Sequence, residues 1–128
     1  MIELRPHAGR AEQFVETVNR LQRPEGYRLV AAFEDGQEQA AAVAGFRTGH
    51  HQAWGLAVYV DDLSTRAQFR GRGHGGALMD WLLAEARRLG CAQLHLDSGV
   101  GADRQTAHRL YLNKRMRISA HHFSLDVG

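Results

Sequence analysis

The stretch Arg70-Gly71-Arg72-Gly73-His74-Gly75-Gly76 carries the clearest chemical signal in the chain. Glycines that open a helix expose backbone N–H groups that the helix itself leaves unpaired, and these converge at the positive end of the helix dipole. A phosphate or pyrophosphate is the natural guest of such a turn. Glycine is required because a side chain would hold the anion off the backbone. Arg70 and Arg72 add charge-assisted donors around the same spot.

Two nucleotide-type readings compete for this turn. Gly71-x-Gly73-x-x-Gly76 satisfies the dinucleotide fingerprint, and Asp97 follows about twenty residues on, where a ribose-binding acid would stand. Three features weigh against it. Arg66 to Arg70 separate the preceding strand from the first glycine. Antiparallel strands are expected upstream. Residues 98–128 are too few to continue a βαβαβ series.

The elements that must position the turn follow from hydrophobic spacing. Ala11 to Leu21 carries Phe14, Val15, Val18 and Leu21 at helical intervals, and Pro24 and Gly26 end that helix. Tyr27 to Phe33 reads as a strand, Glu34-Asp35-Gly36 as a turn, and Ala40 to Arg47 as the hairpin partner. Thr48-Gly49-His50 is expected to be a second turn before a long strand from about Trp54 to Thr65. A helix from about Gly75 to Leu89 follows, with Leu78, Trp81, Leu82, Ala86 and Leu89 on one face. Arg87 and Arg88 suit its last turn, and Gly90 caps it. Ala92 to Asp97 is a short strand, Asp103 to Asn113 a helix, and Ile118 to Leu125 a closing strand. This order predicts an α/β or α+β fold with a mixed sheet, and a right-handed crossover from residue 54 to 97.

Arg70-x-x-Gly73-x-Gly75, behind Tyr59-Val60-Asp61-Asp62-Leu63-Ser64-Thr65 and ahead of a helix, a strand and a tyrosine-bearing helix, closely resembles the GCN5-related N-acetyltransferases (GNAT). The resemblance covers most of the chain and is most specific from about 55 to 111. It implies a mixed, mostly antiparallel twisted sheet flanked by helices, and acetyl transfer from acetyl-CoA to a primary amine by direct attack. By the same resemblance, the turn from Arg70 through His74 to Gly76 binds the CoA pyrophosphate, chiefly through the amides of Gly71, Gly73, Gly75 and Gly76. Leu63, Ser64 and Thr65 form the edge along which the pantetheine lies like an added strand. The Leu63 amide would polarise the thioester carbonyl. Tyr111 matches the general acid that protonates the departing thiolate.

The base stays open at this level. In a regular strand Asp61 and Asp62 point to opposite faces, with Asp61 sharing a face with Leu63 and Tyr59. A bulge would break that parity. Either carboxylate could deprotonate the amine or attract a cationic substrate. Arg104 stands where the family often has Asn, and Arg115-Met116 where it usually has Gly-Phe. Leu4-Arg5-Pro6 resembles the end of the family's first helix better than its first strand, so the first strand is open to question. Its loss would leave a sheet edge that a partner subunit, as in a homodimer, could cover. The runner-up function is a non-catalytic acyl-CoA-binding or sensor module of the same fold.

Composition bounds the remaining classes. The 128 residues fit one domain, taken as 1–128, with 44% hydrophobic and 23% charged residues. Net charge is +2 and the basic residues are dispersed, which gives nucleic-acid binding little support. No apolar run of about 18 residues spans a membrane. The N-terminus is too polar for a signal peptide, and Cys91 is the only cysteine, so a cytoplasmic setting is expected. The paired histidines His50-His51 and His121-His122 lack chelating spacing, and no metal is expected.

Overall fold

The computed structural model describes residues 1–128, apart from the side chain of Ala8. They form two compact units, Met1–Leu96 and Asp97–Gly128, each described by itself below.

In the first unit, helix α1 (Ala11–Thr17) runs on as a π-turn over Val18–Gln22 and a 3-10 turn over Arg23–Glu25. The Gln13 side chain caps the Arg10 amide at 2.8 Å. Gly26, at φ 90°, ends the helical run as expected. Strands β1 (Arg28–Ala32), β2 (Ala42–His51) and β3 (Gly55–Thr65) follow, then helix α2 (His74–Arg88) and strand β4 (Gln93–Leu96). The sheet order is β1-β2-β3-β4. The first two pairings are antiparallel and β3 pairs with β4 in parallel, so the sheet is mixed as predicted. Among the described residues no strand precedes α1, and β1 is an outer strand.

The core is the contact between α2 and one face of this sheet. Leu78, Met79, Leu82 and Ala86 are buried along α2, and Phe46, Val58 and Val60 are buried on the strands. Burying each large side chain contributes about 1.5–3 kcal/mol. Trp81, in the same stripe, meets Phe46 edge-on at 5.8 Å and stays 40% exposed. One charge lies in this apolar layer. Glu85 is buried and bonded to Arg28 of β1 at 2.7 Å and to Arg88. The hydrogen bonds from Arg88, then Arg28, hold its carboxyl down to about 2.

One expectation fails here. Thr48-Gly49-His50 is not a turn but strand, paired with Val58, Ala57 and Leu56. The hairpin turns at residues 52–54 instead, because Gly55 supplies the φ of 65° that closes it.

In the second unit a 3-10 turn at Ala102–Arg104 leads into helix α3 (Gln105–Asn113). The expected closing strand at Ile118 to Leu125 is absent among the described residues. Ile118, Phe123 and Leu125 are exposed there. Apolar alternation marks a face, but a strand exists only as part of a ladder, and residues 117–128 have none.

Candidate functional site

The glycine turn is built as its residue types dictate. Gly71 and Gly73 take φ 78° and 83°, and a Cβ at either would meet open space, so the requirement is conformational. Gly73 is the N-cap of α2. The Ala77 amide makes the first helical bond, to the Gly73 carbonyl at 3.0 Å. The amides of His74, Gly75 and Gly76 therefore precede the first intrahelical partner and point out along the helix axis. That is an anion cradle at the positive end of a helix of fifteen residues.

Its side chains hold a feature that spacing alone did not reveal. Glu34, in the β1–β2 loop, accepts hydrogen bonds from Arg72 at 2.6 Å and from His74 at 2.7 Å. The bond from His74 first, and the Arg72 charge after it, hold the Glu34 carboxyl below the usual glutamate range. Arg72 also stacks on Phe69 at 5.3 Å. Arg70 and Arg72 are both exposed, but Arg72 is engaged by Glu34 and Phe69. An acidic residue of a distant loop cannot be read from the turn's own sequence.

The second part of the site is an irregularity in β3. Gly45 pairs with Asp62, but Phe46 pairs with Val60, so Asp61 is an extra residue in the ladder. Side chains opposite one another in a ladder share a face. Val60 and Leu63 therefore lie on the α2 face, opposite Phe46 and Ala44. Tyr59 and Asp62 lie on the other face, opposite Arg47 and Gly45. The regular-strand expectation that Asp61 shares a face with both Leu63 and Tyr59 is thus corrected by the bulge.

The bulge also redirects the backbone. Within a strand, successive residues point their N–H and C=O to alternate edges. Leu56 accepts from Ala92 on the β4 side, whereas Arg66 donates to Ala41 on the β2 side. These residues are an even number of positions apart, so a regular strand would send both to the same edge. Asp61 reverses the parity. The Leu63 and Thr65 amides consequently face away from β2, toward β4. The β3–β4 ladder ends at the pair Val60 and Leu96. Among the described residues, 61–65 pair with nothing from β4, and a slot opens along that edge.

The two carboxylates differ in how they are held. Asp62 has both oxygens engaged: Oδ1 accepts from Arg5 Nε at 2.8 Å and Oδ2 from the Tyr27 hydroxyl at 2.7 Å. Arg5 also donates to the Asp61 carbonyl at 3.1 Å. Asp61 Oδ2 stands 3.4 Å from Arg47 Nε, with both atoms closed to water and without a hydrogen-bond partner among the described residues. Burial pushes the Asp61 carboxyl above the usual aspartate range, and Arg47 opposes that shift. Asp62 is thus held at both oxygens by donors, whereas Asp61 Oδ2 is ion-paired with Arg47.

Asp61, Asp62, Leu63, Ser64, Thr65 and the turn from Arg70 to Gly76 all belong to the first unit. Tyr111 belongs to the second, on α3. Burial raises its phenol, while Arg104, hydrogen-bonded to it, pulls it back. Arg115 of this unit has φ 66° and is the only non-glycine residue with positive φ among those described. Asp97, the candidate ribose acid, has its Oδ2 3.2 Å from His122 Nδ1.

Comparison with known proteins agrees with this geometry. The model of the acetyltransferase (GNAT) family matches residues 2–116. The uncharacterized N-acetyltransferase YhdJ of Bacillus subtilis (strain 168) is 32% identical over 103 residues, covering 80% of this chain and 70% of that protein. The fold is similar to that of an acetyltransferase from Trypanosoma brucei, with TM-score 0.80, 17% identity, and 98% and 87% of the two chains covered. It is also similar to an aminoglycoside acetyltransferase from an uncultured soil metagenomic sample, with TM-score 0.75, 20% identity, and 94% and 77% covered.

Proposed function

The chain belongs to the acetyltransferase (GNAT) family, and from that premise we propose that it transfers an acetyl group from acetyl-CoA to a primary amine by direct attack in a ternary complex. The observation that carries this reading is the presence, in one unit, of a helix N-terminus with open amides and a strand amide turned toward an unpaired edge. The residues fit such a co-substrate. Gly71 and Gly73 clear the approach of a pyrophosphate to the backbone, and the amides of His74, Gly75 and Gly76 donate to it. Arg70 adds an exposed cation. The edge at Leu63, Ser64 and Thr65 would take the pantetheine arm as an extra strand.

Acetyl-CoA supplies an activated carbonyl and a thiolate leaving group. The Leu63 amide donates to the oxygen on which charge develops. Asp61 takes the proton of the attacking amine, directly or through water, because burial raises its carboxyl. Tyr111 donates a proton to the thiolate, and Arg104 keeps its phenol from rising further. The reaction in this reading uses no metal. The chain works as one domain in the cytoplasm, and its acceptor is a small-molecule or peptide amine rather than a nucleic acid or a membrane. A homodimer is an assembly that the outer edge of β1 would suit.

Thiol release from acetyl-CoA, followed across a panel of diamines, an aminoglycoside and a lysine peptide, tests the proposal. Amine-dependent release supports it. Tight CoA binding with no amine ever yielding thiol would establish a binding module instead. Tyr111→Phe should lower kcat by about 10²-fold while leaving acetyl-CoA affinity unchanged, as loss of a general acid does. Unchanged turnover at every pH would assign the proton to another group.

A further inference from the structure

We propose that Tyr27 and Asp62 are positioning residues: their contact locks the Asp61 bulge, and through it aims the Leu63 amide at the reacting carbonyl. The inference rests on the acetyl-transfer reading for its catalytic consequence, and on the ladder geometry for its structural one.

The bulge needs something to hold it. A slip of one residue would restore a regular ladder and send the Leu63 amide back toward β2, where it would be used up in pairing. The same slip would turn Asp62 into the apolar layer against Phe46, Val60 and Leu82, where an unpaired carboxylate is costly. The alternative is an anchor for Asp62 on the opposite face, and the structure has one drawn from four places in the chain. Tyr27, 3% exposed, donates from its hydroxyl to Asp62 Oδ2 at 2.7 Å. Arg5 donates to Asp62 Oδ1 at 2.8 Å and to the Asp61 carbonyl at 3.1 Å. Gly45, opposite Asp62, makes room for the phenol, since a Cβ there would lie 1.7 Å from the Tyr27 oxygen. Arg47 covers the Tyr27 ring at 5.6 Å.

This division of labour separates the adjacent carboxylates. Asp62 is saturated by donors and fixes the backbone. Asp61 is the extra residue, two positions before the freed amide, and its Oδ2 faces Arg47 at 3.4 Å. A hydroxyl that sets the direction of an oxyanion donor acts on turnover, not on binding of the co-substrate.

The test uses Tyr27→Phe and Asp62→Asn in the whole protein. Acetyl-CoA turnover is measured with the best amine of the panel, beside amide exchange of Asp62 and Ser64 by NMR. Tyr27→Phe should lower kcat on the order of ten- to a hundredfold, as a misplacement near one ångström does, with the acetyl-CoA KM unchanged. It should also speed exchange of the two amides at least about tenfold, because they lose the lock on their ladder. Asp62→Asn keeps an oxygen for Tyr27, so it should retain part of kcat and the full acid limb of the pH–rate profile. Unchanged kcat and unchanged exchange in Tyr27→Phe would overturn the proposal. Loss of the acid limb in Asp62→Asn would overturn it too, making Asp62 the base. If the wild type releases no thiol with any amine, the acetyl-transfer reading has failed, and the exchange arm still decides whether the lock exists.

Discussion

The turn at Arg70–Gly76 and the bulge at Asp61 would serve the two ends of one co-substrate, yet they are assembled from different distances. The turn is local. Two left-handed glycines and a helix N-terminus produce its donors within seven residues, and any chain with those residues there would present them. The bulge is assembled from Arg5, Tyr27, Gly45 and Asp62, which are far apart in sequence. A local device fails only when its own residues change. A device built from several elements fails when any of them moves.

That contrast can be broken most forcefully at the turn. Gly73→Val places a β-branched residue at φ 83° and should weaken CoA binding more than about 100-fold, measured by calorimetry, while costing the fold only about 1–3 kcal/mol of strain. Retained affinity would remove the pyrophosphate from this turn. At the bulge, Asp61→Asn should reduce kcat about 10²-fold and flatten the acid limb of the pH–rate profile. With the carboxyl raised by burial, the wild-type limb should lie above the ordinary aspartate value, and activity should grow as pH rises through it. A limb that survives the substitution would exclude Asp61 as the base.

A smaller effect tests where the local device stops being local. Glu34 reaches the turn from the β1–β2 loop and bonds Arg72 and His74, so it would compete with a bound phosphate for them. Glu34→Gln should lower the acetyl-CoA KM by about threefold at low salt, and the gain should shrink as salt screens it. A higher KM would instead mean that Glu34 holds the turn in shape. The smallest change expected is at Arg115, whose φ of 66° suits glycine. Arg115→Gly should raise unfolding stability by about 1 kcal/mol in a urea titration, since the left-handed conformation burdens every residue with a Cβ. No gain would show that the arginine side chain offsets the strain.

Much of this was legible in the residues. The helical stripe of Leu78, Leu82 and Ala86 and the caps at Gly26 and Gly90 appear where spacing placed them. The Glu34-Asp35-Gly36 turn and the alternation of Leu94 and Leu96 do as well. What was not legible depended on pairing partners. Thr48 to His50 looks like a turn because it contains glycine, yet a ladder with Leu56 to Val58 makes it strand. Ile118 to Leu125 looks like a strand because it alternates, yet it has no ladder among the described residues.

The sequence by itself determined the anion cradle: glycine spacing, helix polarity and the strand before it define it, because torsion limits and unpaired helix amides are properties of neighbouring residues. Only the tertiary structure decided the geometry at the bulge. How Asp61 and Asp62 are held, and which edge the Leu63 amide faces, depends on one extra residue in a ladder. A strand's parity is set by what lies across from it.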